Sequence, residues 1–79
     1  MNGALTEQQN KRLAGILHDL ADIITQLGLG LDLILLKAMI DPAAVLRLAW
    51  AMKRVIPQLR EICLALLGRA PYKGQWLWE

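Results

Sequence analysis

Residues 27–40 read LGLGLDLILLKAMI, and this stretch decides how the rest of the chain is interpreted. Ten of its fourteen side chains are apolar, and only Asp32 and Lys37 carry charge. Its alternating leucines would also fit a β-strand. However, apolar residues recur at intervals of three and four from residue 13 through this stretch, and Ile34 is its only β-branched residue before Ile40. We therefore expect a helix.

The first helical region is predicted to span about residues 6–40. Thr6 and Gln9 have the spacing of a capping box, which indicates a helix start. Gly28 and Gly30 each cost about 1 kcal/mol in a helix interior, so we predict a kink or a break near them, with a straight helix as the alternative. One apolar seam follows the whole region: Leu13, Leu17, Leu20, Ile24, Leu27, Leu31, Ile34 and Ala38.

A second long helix is predicted over residues 42–67, followed by a C-terminal tail, residues 68–79. Asp41 is a strong N-cap residue, Pro42 suits the first helical position, and Gly68 suits the C-terminal end. Pro57 removes one backbone hydrogen bond and should bend the helix. The apolar face of this helix comprises Val45, Leu48, Ala49, Met52, Ile56, Leu59, Cys63, Leu66 and Leu67.

The opening stretch is apolar on two sides. Up to Gln26 the side opposite the seam is polar, but beyond it that side carries Leu29, Leu33, Leu36 and Ile40. One side can pack on the second helix, and the other needs another chain. We predict a single all-α domain, residues 1–79, in which two long amphipathic helices form a hairpin that self-associates through these four residues into a helical-bundle dimer. An intertwined dimer with exchanged helices is equally compatible with the pattern.

Composition agrees with association, because a chain of 79 residues that is 56% hydrophobic has little interior in which to bury its apolar residues. A membrane span needs about 20 uninterrupted apolar residues, and Asp22, Asp32 and Asp41 interrupt any such run. The single Cys63 cannot form an intrachain disulfide, and the N-terminal sequence lacks the pattern of a signal peptide. We expect a cytoplasmic protein.

Two groups of residues could carry chemistry. His18, Asp19 and Asp22 could hold a metal or transfer protons, but no second histidine completes a ligand set, and a solvated polar face is the favoured interpretation. Cys63 lies on the apolar face, so we expect a core thiol. We find no paired catalytic carboxylates and no phosphate-binding loop, and we expect neither an enzyme nor a cofactor or metal.

Three tryptophans are candidates for partner binding. Trp50 is flanked by Arg47 and Arg54 at helical spacing, which is typical of a protein-binding hot spot. The ring could instead cover the rim of a dimer or pack under the C-terminal tail. Trp76 and Trp78 could anchor a partner, but we expect the tail to fold back on the helices, because an exposed apolar tail promotes aggregation.

The leading prediction is a small non-enzymatic, oligomeric helical protein that binds itself and another protein as an adaptor, inhibitor or regulatory subunit. The alternative is a nucleic-acid-binding regulator, with affinity that falls steeply with salt. The net charge of only +2 and the presence of Glu61 argue against it. The third reading is a membrane-active helical protein. The basic residues available for nucleic-acid binding are Arg47, Lys53, Arg54 and Arg60 of the second helix and Arg69 just after it.

Overall fold

The protein is all-helical, as predicted from its sequence. The computed structural model describes residues 4–79, so the first three residues of the predicted domain lie outside it. Three helices follow in chain order: α1, Glu7–Lys37; α2, Pro42–Lys53; and α3, Ile56–Leu66. Helix α1 contacts both α2 and α3.

Helix α1 begins at the predicted capping box. The Thr6 hydroxyl accepts a hydrogen bond from the Gln9 backbone N–H at 3.1 Å, and the Thr6 N–H donates to Gln9 Oε1 at 3.0 Å. The helix continues through Gly28 and Gly30, so the predicted break is wrong, and a kink is not shown. The residues around the two glycines are mostly leucines, which are good helix formers, and the 31-residue helix tolerates both. It ends at Lys37, a few residues before the predicted end.

Helix α2 begins at the predicted boundary. The Asp41 carboxylate accepts a hydrogen bond from the Ala44 backbone N–H at 3.1 Å, and Pro42 occupies the first helical position. This cap satisfies a backbone donor that has no partner within the helix.

The predicted second helix is wrong in length, because the chain forms two helices over residues 42–67. Helix α2 ends at Lys53, a turn follows at Arg54 and Val55, and α3 begins at Ile56. Pro57 lies in the first turn of α3, where its missing N–H is not needed. Proline also restricts the residue before it and clashes with the carbonyl four residues earlier, so the bend becomes a break.

Helix α3 ends in a Schellman motif. The Arg69 N–H donates to the Leu64 carbonyl at 2.9 Å, and the Gly68 N–H donates to the Ala65 carbonyl at 3.1 Å. Gly68 has φ +73°, a left-handed conformation that glycine adopts without steric cost. The predicted role of Gly68 at the helix end is confirmed.

The C-terminal tail folds back along the molecule, as expected. Tyr72 and Gln75 exchange two backbone hydrogen bonds of 2.8 and 3.0 Å around a tight turn. Lys73 and Gly74, the central residues, both have positive φ, the pattern of a type I′ turn. Leu77 keeps only 1% of its surface exposed, so the tail completes the core.

The core lies between the first half of α1, α3 and the tail. Its buried hydrophobic residues are Ile16, Ile23, Ile62, Ala65, Tyr72 and Leu77. On α1 the covered residues recur at intervals of three and four and are here called the buried stripe: Leu13, Ile16, Leu20, Ile23, Leu27 and Gly30. Leu17, Ile24 and Leu31, which the sequence placed in the interior, are 47 to 60% exposed.

This correction has a simple cause. Leu13, Leu20 and Leu27 recur every seven residues, and either Leu17 and Ile24 or Ile16 and Ile23 can complete a seam with them. The tail and α3 lie on the side of Ile16 and Ile23, so these are covered and the others are left outside.

The molecule is elongated, with dimensions of 56 × 19 × 16 Å. Its radius of gyration is 16.6 Å, whereas a compact chain of this length has about 12 Å. We call residues 7–27, α3 and the tail the closed end, and residues 28–53 the open end. None of the helices in residues 4–79 combines the length and the apolar character that crossing a membrane requires.

Candidate protein-binding surface

The open end exposes most of its apolar side chains. Helix α2 has no buried residue, and the turn before it holds Met39, which is 94% exposed. The four residues predicted for self-association are all on the surface, with exposures from 44% at Leu33 to 75% at Ile40; the other two are Leu29 and Leu36. The chain therefore leaves this face of α1 uncovered.

A groove of about 290 Å³ runs between α1 and α2 beside this face. Gly30 forms its floor, because the absence of a side chain lets Met52 approach the α1 backbone. A Cβ atom added to Gly30 would lie 2.8 Å from Met52 Cγ. Apart from Gln26, the lining residues are apolar: Leu27, Leu29, Gly30, Leu33, Leu48, Ala51, Met52 and Val55.

Trp50 lies on the outer side of α2 and is 58% exposed. The cation over its ring is Lys53, whose Nζ lies 4.9 Å from the ring centroid, and not an arginine as the sequence suggested. Lys53 follows Trp50 by three residues, which places the two side chains on adjacent turns of one helix face. Arg47 and Arg54 line the same shallow depression without stacking on the ring.

The two tail tryptophans are tied to the closed end. Arg12 donates a hydrogen bond of 2.8 Å to the Trp76 carbonyl, and the Trp78 indole N–H donates one of 2.9 Å to the Leu66 carbonyl. The Trp78 ring also lies over Gly68, where an added Cβ would be 3.1 Å from Cδ1. The two residues stay 40% and 45% exposed, but their segment is held in place, so they are less suited than Trp50 to anchor a partner.

His18, Asp19 and Asp22 do come together, but Asp19 has a structural role. The His18 Nδ1 atom lies 3.7 Å from a carboxylate oxygen of each aspartate. Asp19 also accepts a hydrogen bond of 2.7 Å from the Tyr72 hydroxyl and forms a 2.9 Å ion pair with Lys73. The interpretation as a purely solvated face is therefore wrong for Asp19, which anchors the tail to α1.

The charges around Asp19 explain its titration. The hydrogen bond from Lys73, followed by that from Tyr72, lowers the pKa of the Asp19 carboxyl below its usual value. The same contact with Asp19 raises the pKa of the Lys73 ammonium. Burial raises the pKa of the Tyr72 hydroxyl, which keeps it protonated as a donor to Asp19. The three groups support one another electrostatically, and this leaves Asp19 poorly placed to serve a metal.

Cys63 is exposed, so the predicted core thiol is wrong. The break before Pro57 lets α3 turn Ile62 and Ala65 toward α1 and the tail. Cys63 lies about 100° around the helix from Ile62, beyond the covered face.

Sequence reasoning missed a further exposed apolar surface on α1, which includes Leu17, Ile24, Leu31 and Leu35. The signal that could have found it is the recurrence of small residues at every seventh position, at Ala14, Ala21 and Gly28. Such spacing places the small residues along one line of the helix.

Comparison of this chain with protein-family models, with curated proteins and with solved structures gave no match.

Proposed function

We propose that this chain is a non-enzymatic helical protein that acts by binding protein chains, a second copy of itself included, through its open end. The observation that carries the proposal is the exposure of the most apolar part of the sequence: Leu36, Met39 and Ile40 each leave 65 to 94% of their surface uncovered. Contiguous apolar surface of this kind is rare on monomers and is typical of a protein-binding surface.

The chemistry of the open end suits binding rather than catalysis. Its exposed large hydrophobic residues are leucine, isoleucine, methionine and one tryptophan, which supply contact area and no nucleophile or proton-transfer group. The Met39 side chain adds flexibility, since methionine adapts to surfaces of different shape. This composition supports an adaptor, an inhibitor or a regulatory subunit.

A second copy is the occupant that we assign to Leu29, Leu33, Leu36 and Ile40. In this arrangement α1 and the α2–α3 region of each chain form a helical hairpin, and two hairpins bury their open faces against each other. Trp50 with Lys53 then remains at the edge of the assembly, where a large ring beside a cation offers an anchor for another protein.

The solution mass tests this proposal. We would measure the wild-type chain by light scattering on a size-exclusion column, without detergent and over a range of concentrations. The mass should exceed the 8.8 kDa of one chain, and the double substitution Leu36→Gln with Ile40→Gln should lower it. The matched control is Lys11→Gln, a polar change outside the open end. A wild-type mass of one chain at the highest concentration would overturn the proposal.

Nucleic-acid binding is the second candidate, favoured by the exposure of Arg47, Lys53, Arg54 and Arg60 and by the absence of ion pairs to these four within residues 4–79. Fluorescence anisotropy with a labelled duplex tests it at two salt concentrations. Electrostatic binding should weaken by orders of magnitude between about 50 and 200 mM salt. Equal signals with and without protein would exclude it.

A further inference from the structure

A second exposed surface runs along α1. The buried stripe separates it from the side of α1 on which the tail lies. We call it the α1 seam: Ala14, Leu17, Ala21, Ile24, Gly28, Leu31, Leu35 and Ala38. All eight residues are exposed and none is charged. Their alternating intervals of three and four are those of a coiled-coil interface. At about 1.5 Å per residue the seam is about 36 Å long.

We propose that the α1 seam binds the α1 seam of a second copy, with the two helices antiparallel. This inference shares with the proposed function the premise that the chain self-associates, but it assigns a separate contact to a separate surface.

Side-chain size favours the antiparallel direction. In the first part of the seam, small residues alternate with large ones, so a parallel pair would bring small residues together in one layer and large residues together in the next. An antiparallel pair centred near Gln26 instead places Ile24 against Gly28 of the second copy. It places Ala21 against Leu31 of the second copy and Leu17 against Leu35. The four central layers, those of Ile24 with Gly28 and of Ala21 with Leu31, then each join one large and one small residue, which limits voids and overlaps at the centre of the contact.

The space beside Gly28 is large enough for a side chain of the second copy. A Cβ atom added there meets nothing within 4 Å, whereas one added to Gly30 meets Met52. The chain therefore has no internal need for glycine at position 28. A large side chain of a second copy, such as Ile24, would use the space that Gly28 leaves.

Charge also favours the antiparallel direction. Asp32 borders the α1 seam, is exposed, and forms no ion pair with any of the described residues. The antiparallel arrangement brings Asp32 of each chain beside His18 of the other. The contact therefore occurs twice, once at each end of the paired helices. His18 Nδ1 faces Asp19 and Asp22, so Nε2 remains to donate to Asp32. In a parallel pair the two Asp32 carboxylates would instead lie on opposite flanks of the interface, where neither meets His18 of the second copy.

The α1 seam lies about 150° around the helix from the face of Leu29, Leu33, Leu36 and Ile40. One chain can therefore make both contacts at once. Because each contact is self-complementary, the two together build an assembly larger than a dimer.

The inference is tested by the solution masses of four chains: the wild type, a seam variant, its matched control and the Leu36→Gln/Ile40→Gln variant. The seam variant is Gly28→Gln, and its matched control is Gly15→Gln, since Gly15 is also an exposed glycine of α1 with open space at its Cβ. We expect Gly28→Gln to reduce the wild-type mass at least by half and Gly15→Gln to leave it unchanged. The Leu36→Gln/Ile40→Gln variant should retain twice the chain mass of 8.8 kDa. Circular dichroism should show equal helix content in all four.

The outcomes separate the two proposals. If Gly28→Gln keeps the wild-type mass while the Leu36→Gln/Ile40→Gln variant becomes monomeric, the α1 seam contact is overturned and the open-end contact stands. If Gly28→Gln is monomeric and the Leu36→Gln/Ile40→Gln variant keeps the wild-type mass, the open-end contact is overturned and the α1 seam contact stands. A monomeric wild type overturns both.

Disulfide formation tests the direction. In a Cys63→Ser background, a ¹⁵N-labelled chain with Leu17→Cys is mixed with an unlabelled chain carrying Leu35→Cys and is then oxidised. An antiparallel pair brings positions 17 and 35 together, so mass spectrometry should find that most crosslinked dimers contain one labelled and one unlabelled chain. A parallel pair separates these positions by about 27 Å, and a majority of dimers with two identical labels, or no dimer, would overturn the inference.

Discussion

The closed and open ends of this molecule use the same helix in different ways. At the closed end α1 is covered by α3 and the tail, and Ile16, Ile23 and Leu77 are buried. At the open end α1 has only α2 beside it, and α2 has no buried residue. The more apolar part of the sequence is therefore the less covered part. The comparison teaches that burial depends on a third covering element and not on the local content of apolar residues.

The third element at the closed end is short but well connected. Twelve residues of tail supply Leu77 to the core, Tyr72 and Lys73 to Asp19, and two carbonyl groups to Arg12. The open end has no segment of this kind in residues 4–79. This is the physical basis for assigning its cover to another chain.

The largest expected difference between the two ends comes from truncating one side chain at each. Ile62→Ala, in the closed end, should lower the free energy of unfolding by about 2–5 kcal/mol, because it leaves a cavity at a residue with 0% exposure. Leu46→Ala, in the open end, should change it by less than about 0.5 kcal/mol. Urea unfolding followed by circular dichroism, at one protein concentration, measures both. Similar losses in the two variants would contradict the division into ends.

Tyr72→Phe should break the attachment of the tail. It removes the hydrogen bond to Asp19 and the one from Gln58, and hydrogen bonds to a charged group are worth about 1.5–3 kcal/mol. Lys73→Gln is the control, because the Lys73 side chain is 68% exposed and an exposed ion pair contributes at most about 1 kcal/mol. Urea unfolding should therefore rank Tyr72→Phe as clearly the more harmful. The opposite order would show that the ion pair attaches the tail.

Two glycines of α1 sharpen the comparison within the open end. Gly28→Ala should raise the free energy of unfolding of the monomer by about 0.5–1 kcal/mol, because alanine favours the helix and the space is open. Gly30→Ala should raise the free energy of unfolding by less than Gly28→Ala does, or lower it. The new Cβ would lie 2.8 Å from Met52 Cγ and Sδ, so the Met52 side chain must move. Thermal unfolding of both variants gives the difference. Equal stabilisation would mean that Met52 adapts freely.

The smallest expected effect is the pH dependence of the closed end. Because the folded pKa of Asp19 lies below its ordinary value of 3.8, the carboxylate stabilises the fold above that pH and loses its contribution as the pH falls through the folded pKa. The Asp19→Asn variant should therefore be less stable than the wild type at pH 7. The difference should shrink toward pH 3. A difference that does not change with pH would exclude the charge of Asp19 as its source.

The starts of α1 and α2 and the end of α3 could be predicted from the sequence because each depends on a few neighbouring residues. Thr6 with Gln9, Asp41 with Pro42, and Gly68 satisfy backbone groups within one turn of themselves. Pro57 was recognised too, but its effect was underestimated, since whether a proline bends or divides a helix depends on how the following turn can pack.

The rotation of α1 could not be predicted, because Leu13, Leu20 and Leu27 complete a regular seam with either of two sets of residues. The choice depends on where the tail lies, and the tail is placed by Tyr72 and Leu77, which carry no periodic signal. For the same reason the roles of Asp19 and Cys63 were assigned wrongly. The exposure of Leu29, Leu33, Leu36 and Ile40 agrees with the sequence-based argument that their own chain leaves this face uncovered, while the occupant of that face stays a prediction.

The return of the tail to the start of α1 also sets the order in which the molecule can form. Arg12 and Trp76 are 64 positions apart in the chain, yet they are joined by a hydrogen bond beside the core. During synthesis, which proceeds from the N-terminus, α1 and α2 are made long before the tail that completes this core. For that interval the nascent chain exposes Ile16 and Ile23, so newly made chains on neighbouring ribosomes would be able to meet through residues that the finished protein buries.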